Sequence, residues 1–431
     1  MDDSKTVPSY LEMIESMPSA KDALITVGRT FSFGDLARSA RNRRRELLSR
    51  ECSTDRSLFP IRESSVEAQL TTFLALSGTR RIPVIAPTDY ADRKDSVAST
   101  ESPSAVPVPE QACMAVMTSG TTGTNKILFR TFESWYDYFP ILHSIFGINA
   151  DSRIFTQGSL GFTGNLNIFL AVLAAGGAIL AENQPDPRIW LRRIETSHAN
   201  GIYLIPSKLR LLERRYRQKN VVNPHILTII SGSQSLGKTD VLALKEHFPM
   251  TEVTLYYGAS ELSYITCIKD RDMNDDPTRV GRPFPQIDVQ IRDGRFLVTT
   301  AYGVIGTCTD AFIGDCGHQD EDGFFYFDGR ADDICSIHGR RISSLRVENA
   351  LLSLPGVAEA AVCAVHEDGR EYLAAWLVTD SSACQDKTEA AIRHSLRSLL
   401  SDREIPRQIH LVSSLPRTDS GKIRYRQLSV R

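Results

Sequence analysis

Met117-Thr118-Ser119-Gly120-Thr121-Thr122-Gly123-Thr124-Asn125-Lys126 follows directly on the apolar run Ala112 to Met117. Seven of the nine residues from Thr118 are Gly, Ser or Thr. Such a loop offers backbone N–H groups and hydroxyls with no bulky side chain in the way, and Lys126 adds positive charge, so it suits a polyphosphate. Its spacing is not that of a Walker A loop, because no Gly-Lys-Ser/Thr follows a first Gly at the right distance. A surface turn is the plain alternative.

Outward from this loop the chain alternates short strand-like runs with helical patterns. Ala112 to Met117, Ile154 to Thr156, Gly201 to Ile205, Leu227 to Ser231 and Val253 to Tyr257 have strand character. Trp135 to Phe146, Leu166 to Ala175, Pro187 to His198, Lys208 to Arg217 and Lys238 to His247 read as helices. That order implies parallel βαβ units with ligands at the carboxyl ends of the strands. Toward the amino terminus, Ala23 to Val27 and Ile82 to Ile85 read as strands. Ser32-Phe33-Gly34-Asp35 starts a helix to about Leu48, and a second helix runs from about Ser65 to Gly78. Gly281 to Arg330 changes to short strands with Asp-Gly turns, and an α+β pattern follows to the end. The fold class is therefore α/β. A large amino-terminal domain of mainly parallel βαβ sheets plus a small β-rich unit precedes a small α+β domain.

A length of 431 residues at about 150 per domain gives roughly three units. Fifty Lys and Arg against 52 Asp and Glu leave a net charge of -2, which removes any case for nucleic-acid binding by bulk charge. The basic run Arg41 to Arg45 reads as a solvated helix face. Eight cysteines with no C-x-x-C pair and no zinc-type spacing read as free thiols in a reducing compartment, so a cytoplasmic location is expected. The amino terminus lacks a signal pattern. The longest apolar stretch, Ile168 to Ala181, has 14 residues, too few to span a membrane, and reads as a buried helix entering a strand through Gly176-Gly177. A literal Walker A match does occur at Gly232-Ser233-Gln234-Ser235-Leu236-Gly237-Lys238-Thr239, but nothing else supports a P-loop nucleotidase.

Four further segments, in order, resemble motifs of the adenylate-forming superfamily, which holds acyl- and aryl-CoA synthetases, the adenylation domains of non-ribosomal peptide synthetases and the luciferases. The Ser/Thr/Gly loop resembles that family's phosphate loop, with Asn125 where Pro is usual. Tyr257-Gly258-Ala259-Ser260-Glu261 resembles its aromatic-Gly-x-Thr-Glu motif. Gly314-Asp315 and Gly329-Arg330-Ala331-Asp332-Asp333 resemble the ribose-binding and hinge region. Gly339-Arg340-Arg341-Ile342 through Glu348, and Pro416 to Arg424 around Gly421-Lys422, resemble the two carboxy-terminal loops. The resemblance covers nearly the whole chain.

It implies ATP and Mg2+ as cofactors and a two-step reaction in which a carboxylic acid becomes an acyl-adenylate and AMP is then displaced. Magnesium and fixed cations neutralise charge at the α-phosphate. Lys422, Glu261 and Thr122 are the implied catalytic residues, with Glu261 holding Mg2+. Thr118, Ser119, Gly120, Thr121, Gly123 and Lys126 would bind phosphates. Tyr257 would stack on adenine, with Gly258 and Ser260 beside it and Gly232, Ser233 and Gln234 packing against the base. Asp315 would accept from the ribose hydroxyls, with Arg330 supporting ribose and phosphate. Asp332 would be the hinge between a core domain, residues 1–330, and a mobile lid, residues 331–431. Gly339 and Arg341 would line a channel for the thiol.

Gly161 and Phe162 fall where relatives contact the acid. An apolar ring cannot balance an ammonium, so an acid without an α-amine is expected, aryl or medium-sized acyl. No carrier-protein segment follows Lys422, so the expected acceptor is coenzyme A or the phosphopantetheine of a separate acyl carrier protein. Arg393, Arg397, Arg403 and Arg407 could dock such an acidic partner, though solvated helix charges are the simpler reading. An amide-forming synthetase using the same adenylate, and a non-catalytic nucleotide-binding regulator, remain alternatives. No nucleic acid or membrane span is expected as partner, and the sequence leaves the oligomeric state open.

Overall fold

The structure is a computed structural model that describes residues 9–49, 55–86, 106–119, 125–307, 310–330, 334–337, 340–367, 370–379, 389–417 and 423–428. Its contacts divide it into two compact units. The first holds residues to Asp275 with Pro283–Asp288 and Val298–Ala311, and the second holds Asp276–Arg282, Val289–Leu297 and everything from Phe312.

The first unit begins with α1 (Tyr10–Glu15), β1 (Asp22–Thr26), β2 (Arg29–Ser32), α2 (Phe33–Leu48), β3 (Ser57–Ile61), α3 (Val66–Leu76) and β4 (Arg81–Ile85). Helix α2 starts where the sequence indicates. Ser32 Oγ accepts from Asp35 N–H while the Asp35 carboxylate accepts from Ser32 N–H, two otherwise orphaned donors satisfied reciprocally. Ser65 caps α3 in the same way from one side. The basic run on α2 is less solvated than its charge suggests. Arg44 donates to the carbonyls of Ala75 and Ser77 at the end of α3, at 2.7 and 2.6 Å, and Arg43 pairs with Glu46 and Glu63. These arginines fasten α2 to α3.

The unit continues through β5 (Met114–Ser119), β6 (Asn125–Arg130), α4 (Glu133–Tyr136) and α5 (Phe139–Phe146). One helix over Trp135 to Phe146 is expected from the pattern, but two form. Pro140 has no N–H to give to the preceding turn, so the helix restarts at Phe139 and ends on Gly147 in the left-handed region at φ 67°. Then come β7 (Arg153–Gln157), α6 (Thr163–Ala174), β8 (Ala178–Glu182), α7 (Pro187–Thr196), β9 (Gly201–Tyr203), α8 (Pro206–Lys219), β10 (Thr228–Gly232), α9 (Lys238–His247), β11 (Glu252–Ala259) and β12 (Ser263–Lys269).

Within this unit the strands lie in the order β12-β11-β10-β9-β7-β8-β1-β2. From β11 to β1 neighbours are parallel, with helices in the crossovers, whereas β12 and β2 add antiparallel at the edges. A second sheet has the order β3-β4-β5-β6, parallel except for β6. Helix α6 is buried almost all round, as its continuous apolar sequence requires. Between α7 and β8 the side chains of Arg193 and Glu182 pair at 3.1 Å in the core, and Arg193 also donates to the carbonyls of Ala181 and Ile25.

Most of β13 (Arg279–Pro283), β14 (Asp288–Arg292), β15 (Arg295–Thr299) and β16 (Asp310–Gln319), and all of β17 (Phe325–Arg330), fall in the second unit, in the order β14-β15-β16-β17-β13. The hairpin β18 (Ile334–Ile337) and β19 (Arg340–Ser343) leads to α10 (Ser344–Leu352). A three-stranded sheet of β20 (Val357–Glu367), β21 (Arg370–Thr379) and β22 (Gln408–Leu411) packs on α10 and α11 (Glu389–Leu396) through Val347, Leu351, Leu373, Leu377, Ile392 and Leu396. Among the described residues no helix is long and apolar enough to cross a membrane.

Candidate active site

Because β7, β9, β10 and β11 run parallel, their carboxyl ends share one edge, and the loops leaving that edge carry residues 158–162, 204–205, 233–237 and 260–262. A ligand belongs at this edge. In the neighbouring sheet, Thr118 pairs with Lys126 and Ser119 with Asn125 across the β5–β6 hairpin, so the Ser/Thr/Gly loop joins two antiparallel strands and Lys126 is exposed beside it. Gly120, Thr121, Thr122 and Gly123 lie outside the described residues.

Glu261 sits in the tight turn between β11 and β12. A bulge at Tyr257/Gly258 shifts the register before the last two pairs, and Leu262 N–H donates to Ala259 O at 3.1 Å. A Cβ on Gly258 would lie 2.2 Å from the Ser263 carbonyl oxygen, so only glycine fits. The turn is held by its backbone. Val304 N–H donates to Glu261 O at 2.8 Å, and Arg130 Nη2 donates to Ser260 O at 2.7 Å. Arg130 itself is fully buried, donates from Nη1 to Tyr302 O at 3.0 Å and lies over the Trp135 ring at 5.2 Å. Burial pushes its guanidinium down to about 10, so it is still a cation at neutral pH.

The Glu261 carboxylate has no hydrogen bond or ion pair among the described residues, and no group of three metal-binding side chains occurs among them. One open carboxylate is a hard oxygen donor of the kind that holds Mg2+ together with substrate phosphates and water. The residues present therefore fit the implied ion.

Tyr257 is half-buried beside its buried neighbour Tyr256. Gly232 is needed for Tyr256: a Cβ there would lie 2.5 to 2.8 Å from three ring atoms. Tyr256 and Tyr203 share a hydrogen bond between their hydroxyls at 2.8 Å. Gly164 closes this cluster, since its Cβ would fall 2.3 Å from Tyr203 Oη, 3.0 Å from Phe162 Cε1 and 3.1 Å from Tyr256 Oη. Phe162 thus borders a buried tyrosine pair, and Gly161 N–H donates to Ser159 Oγ at 3.0 Å. Sequence reasoning singled out Gly232, Gly161 and Phe162 but missed Tyr203, Tyr256, Gly164 and Arg130. Only the arginine closing the apolar run Ile127-Leu128-Phe129 offered a local hint.

Ser233 takes a left-handed φ of 71°, and Gln234 Oε1 accepts from Ser207 N–H at 3.0 Å, tying this loop to the first turn of α8. The Walker-like match does not form a phosphate cradle. Asp240 accepts from Gly237 N–H and pairs with Arg210, so a carboxylate stands at the start of α9 where a phosphate would have to sit.

In the second unit Asp315 and Arg330 are direct cross-strand partners on β16 and β17, with Arg330 Nε 3.3 Å from Asp315 Oδ1. The Asp315 side chain is 10% exposed and Arg330 46%, so the acid is sheltered and the base reaches solvent. Gly314 takes φ 80° in open space, so its backbone conformation explains the glycine. Arg341 pairs with Ser336 in the β18–β19 hairpin. Asp332, Gly339 and Lys422 lie outside the described residues. The residues beside Lys422 are anchored: Arg417 bridges to Ile423, Arg424 N–H donates to Pro416 O at 2.8 Å, and Arg417 pairs with Glu359 at 2.9 Å. Two of the four carboxy-terminal arginines have structural duties. Arg393 donates to the Pro406 and Arg407 carbonyls, and Arg407 lies over the Tyr372 ring.

Residues 19–307 match the family model for AMP-binding enzymes, and residues 346–422 match the model for the AMP-binding enzyme carboxy-terminal domain. A 3-hydroxybenzoate-CoA ligase of Aromatoleum sp. is 27% identical over 77% of this chain and 68% of its own length. The solved structure of the anthranilate CoA ligase AuaEII with anthranoyl-AMP has a TM-score of 0.83 at 18% identity, covering 98% of this chain and 97% of that one. The amide bond synthetase McbA of Marinactinospora thermotolerans gives 0.78 at 20% identity, covering 97% and 98%.

Proposed function

This chain belongs to the AMP-binding enzyme family, and on that premise we propose that it activates a carboxylic acid with ATP to an acyl-adenylate, releasing pyrophosphate, and passes the acyl group to coenzyme A. The observation that carries the reading is the Glu261 turn, whose backbone is fixed by Arg130 and Val304 while its carboxylate makes no hydrogen bond or ion pair among the described residues. Mg2+ bound there would neutralise charge on the triphosphate as the α-phosphate is attacked. Thr118, Lys126 and the Ser/Thr/Gly loop bind the phosphates. Tyr257 stacks on adenine, and Asp315 with Arg330 holds the ribose. Lys422 supplies a cation between the acid and the nucleotide.

The lid after Arg330, the hinge at Asp332 and the thiol channel at Gly339 and Arg341 belong to the same reading. The acid is aryl or medium-sized acyl, supported by Phe162 at the tyrosine cluster and by the hydroxybenzoate-CoA ligase among the relatives. The test is acid-dependent ATP–pyrophosphate exchange over aryl, acyl and amino acids, followed by mass detection of product with coenzyme A, a carrier protein or amines. Exchange with an aromatic acid and a CoA thioester as product are expected. An amide product would replace the acceptor. No exchange with any acid would favour a nucleotide-binding regulator.

A further inference from the structure

Arg130 ends β6, the strand that returns from the Ser/Thr/Gly loop, and its side chain is wholly buried. Among the described residues it has no carboxylate partner within salt-bridge distance, and its Nε has no hydrogen-bond partner. A buried charge without an ion pair costs several kcal/mol, about what a well-packed apolar side chain would avoid. Packing alone does not account for an arginine here.

Its contacts do. One arm of the guanidinium holds the Ser260 carbonyl, inside the turn that carries Glu261. The other holds the Tyr302 carbonyl, two residues before Val304, whose N–H holds the Glu261 carbonyl. Trp135 supports the guanidinium from its face and donates from Nε1 to Ser263 Oγ at 3.2 Å, on the far side of the same turn. These long-range supports of the Glu261 turn thus run through, or stand beside, one rigid planar cation. That cation also leaves a fixed positive charge near Glu261 without occupying its oxygens.

We infer that Arg130 is a positioning residue for magnesium-bound nucleotide, holding the Glu261 carboxylate in place from behind. The inference rests on the reading of Glu261 as the magnesium ligand. Lysine keeps the charge but presents its donors from a single nitrogen, without the planar fork that holds the two carbonyls. Loss of a partner that orients a metal ligand typically weakens metal binding about 10- to 100-fold.

The test uses the full chain and binding rather than turnover: calorimetric affinity for ATP in excess Mg2+ and in EDTA, for wild type, Arg130→Lys, Arg130→Met, Glu261→Gln and the Arg130→Lys/Glu261→Gln double variant. Arg130→Lys is expected to lose about tenfold or more in the presence of Mg2+ and little in EDTA. In the Glu261→Gln background the lysine substitution should add nothing, because the two act through one ion. If Arg130→Met fails to fold, the lysine variant and the double variant carry the test. Arg130→Lys binding Mg-ATP as wild type does, or losing equally in EDTA, would overturn the inference while leaving the function intact. Wild type that binds ATP with the same affinity with and without Mg2+, or not at all, would overturn both.

Discussion

The Tyr425 hydroxyl lies 3.0 and 3.2 Å from the two carboxylate oxygens of Glu348, which also accepts from Val362 N–H at 2.8 Å. One buried acid thereby joins the helix after the Gly339 loop, the central strand pair and the segment just past Lys422. Glu348→Ala would strand a buried N–H and remove the anchor for Tyr425, at a cost of about 1–3 kcal/mol for the unsatisfied group. Tyr425→Phe should cost less, since the Val362 bond survives. Urea unfolding of both variants checks the order, and equal losses would mean that Tyr425 rather than the backbone contact dominates.

Gly232→Ala tests the packing between the loop after β10 and Tyr256. The added methyl meets ring carbon atoms at 2.5 to 2.8 Å, and the ring is held by its hydroxyl bond to Tyr203. Overpacking of this kind costs about 1–3 kcal/mol. Tyr256→Ala should recover part of it, so the double variant is expected to be less destabilised than the sum of the singles. Additive losses in a denaturation cycle would mean that the strain is relieved elsewhere.

What was legible in the sequence is what local chemistry determines. The capping pair Ser32 and Asp35, the stop of α3 before Gly78 and the long apolar run of α6 need no knowledge of distant residues, and each element stands close to where the pattern puts it. The hairpin strands β6 and β12 are not among the runs that read as strands in the sequence. Arg44 was misjudged because its partners, the carbonyls at Ala75 and Ser77, are more than thirty positions away in the chain. Motif order likewise points to Glu261, but the arginine that holds its turn is 130 residues distant from Ser260.

Burial pushes the Cys113 thiol from its ordinary 9.0 up to about 12. The folded protein therefore holds that proton more tightly than the unfolded chain. The resulting stabilisation is complete below about pH 9 and is lost as pH rises toward 12. Wild type should lose stability across this window more steeply than Cys113→Ala, by up to about 1.4 kcal/mol per pH unit. Unfolding midpoints from pH 8 to 11 give the two slopes, and parallel slopes would show that the thiol titrates alike in both states.

Lys422→Ala separates the two half-reactions. Arg417 and Ile423, which flank Lys422 in the chain, are anchored, and under the proposed function the Lys422 cation would act where charge develops during attack on the α-phosphate. Removing one such electrostatic contact costs about 3–4 kcal/mol, which is about 100- to 1000-fold in rate. Acid-dependent pyrophosphate release should fall by that factor. Thioester formation from a supplied acyl-adenylate should be spared, because no phosphoanhydride is then broken. Tyr425→Phe offers a graded version, since it loosens the anchor just beyond Lys422 while keeping the cation, and a smaller loss confined to the first step is expected. Pyrophosphate release unchanged in Lys422→Ala would remove the residue from the chemistry, and equal losses in both half-reactions would assign it to holding the small domain together.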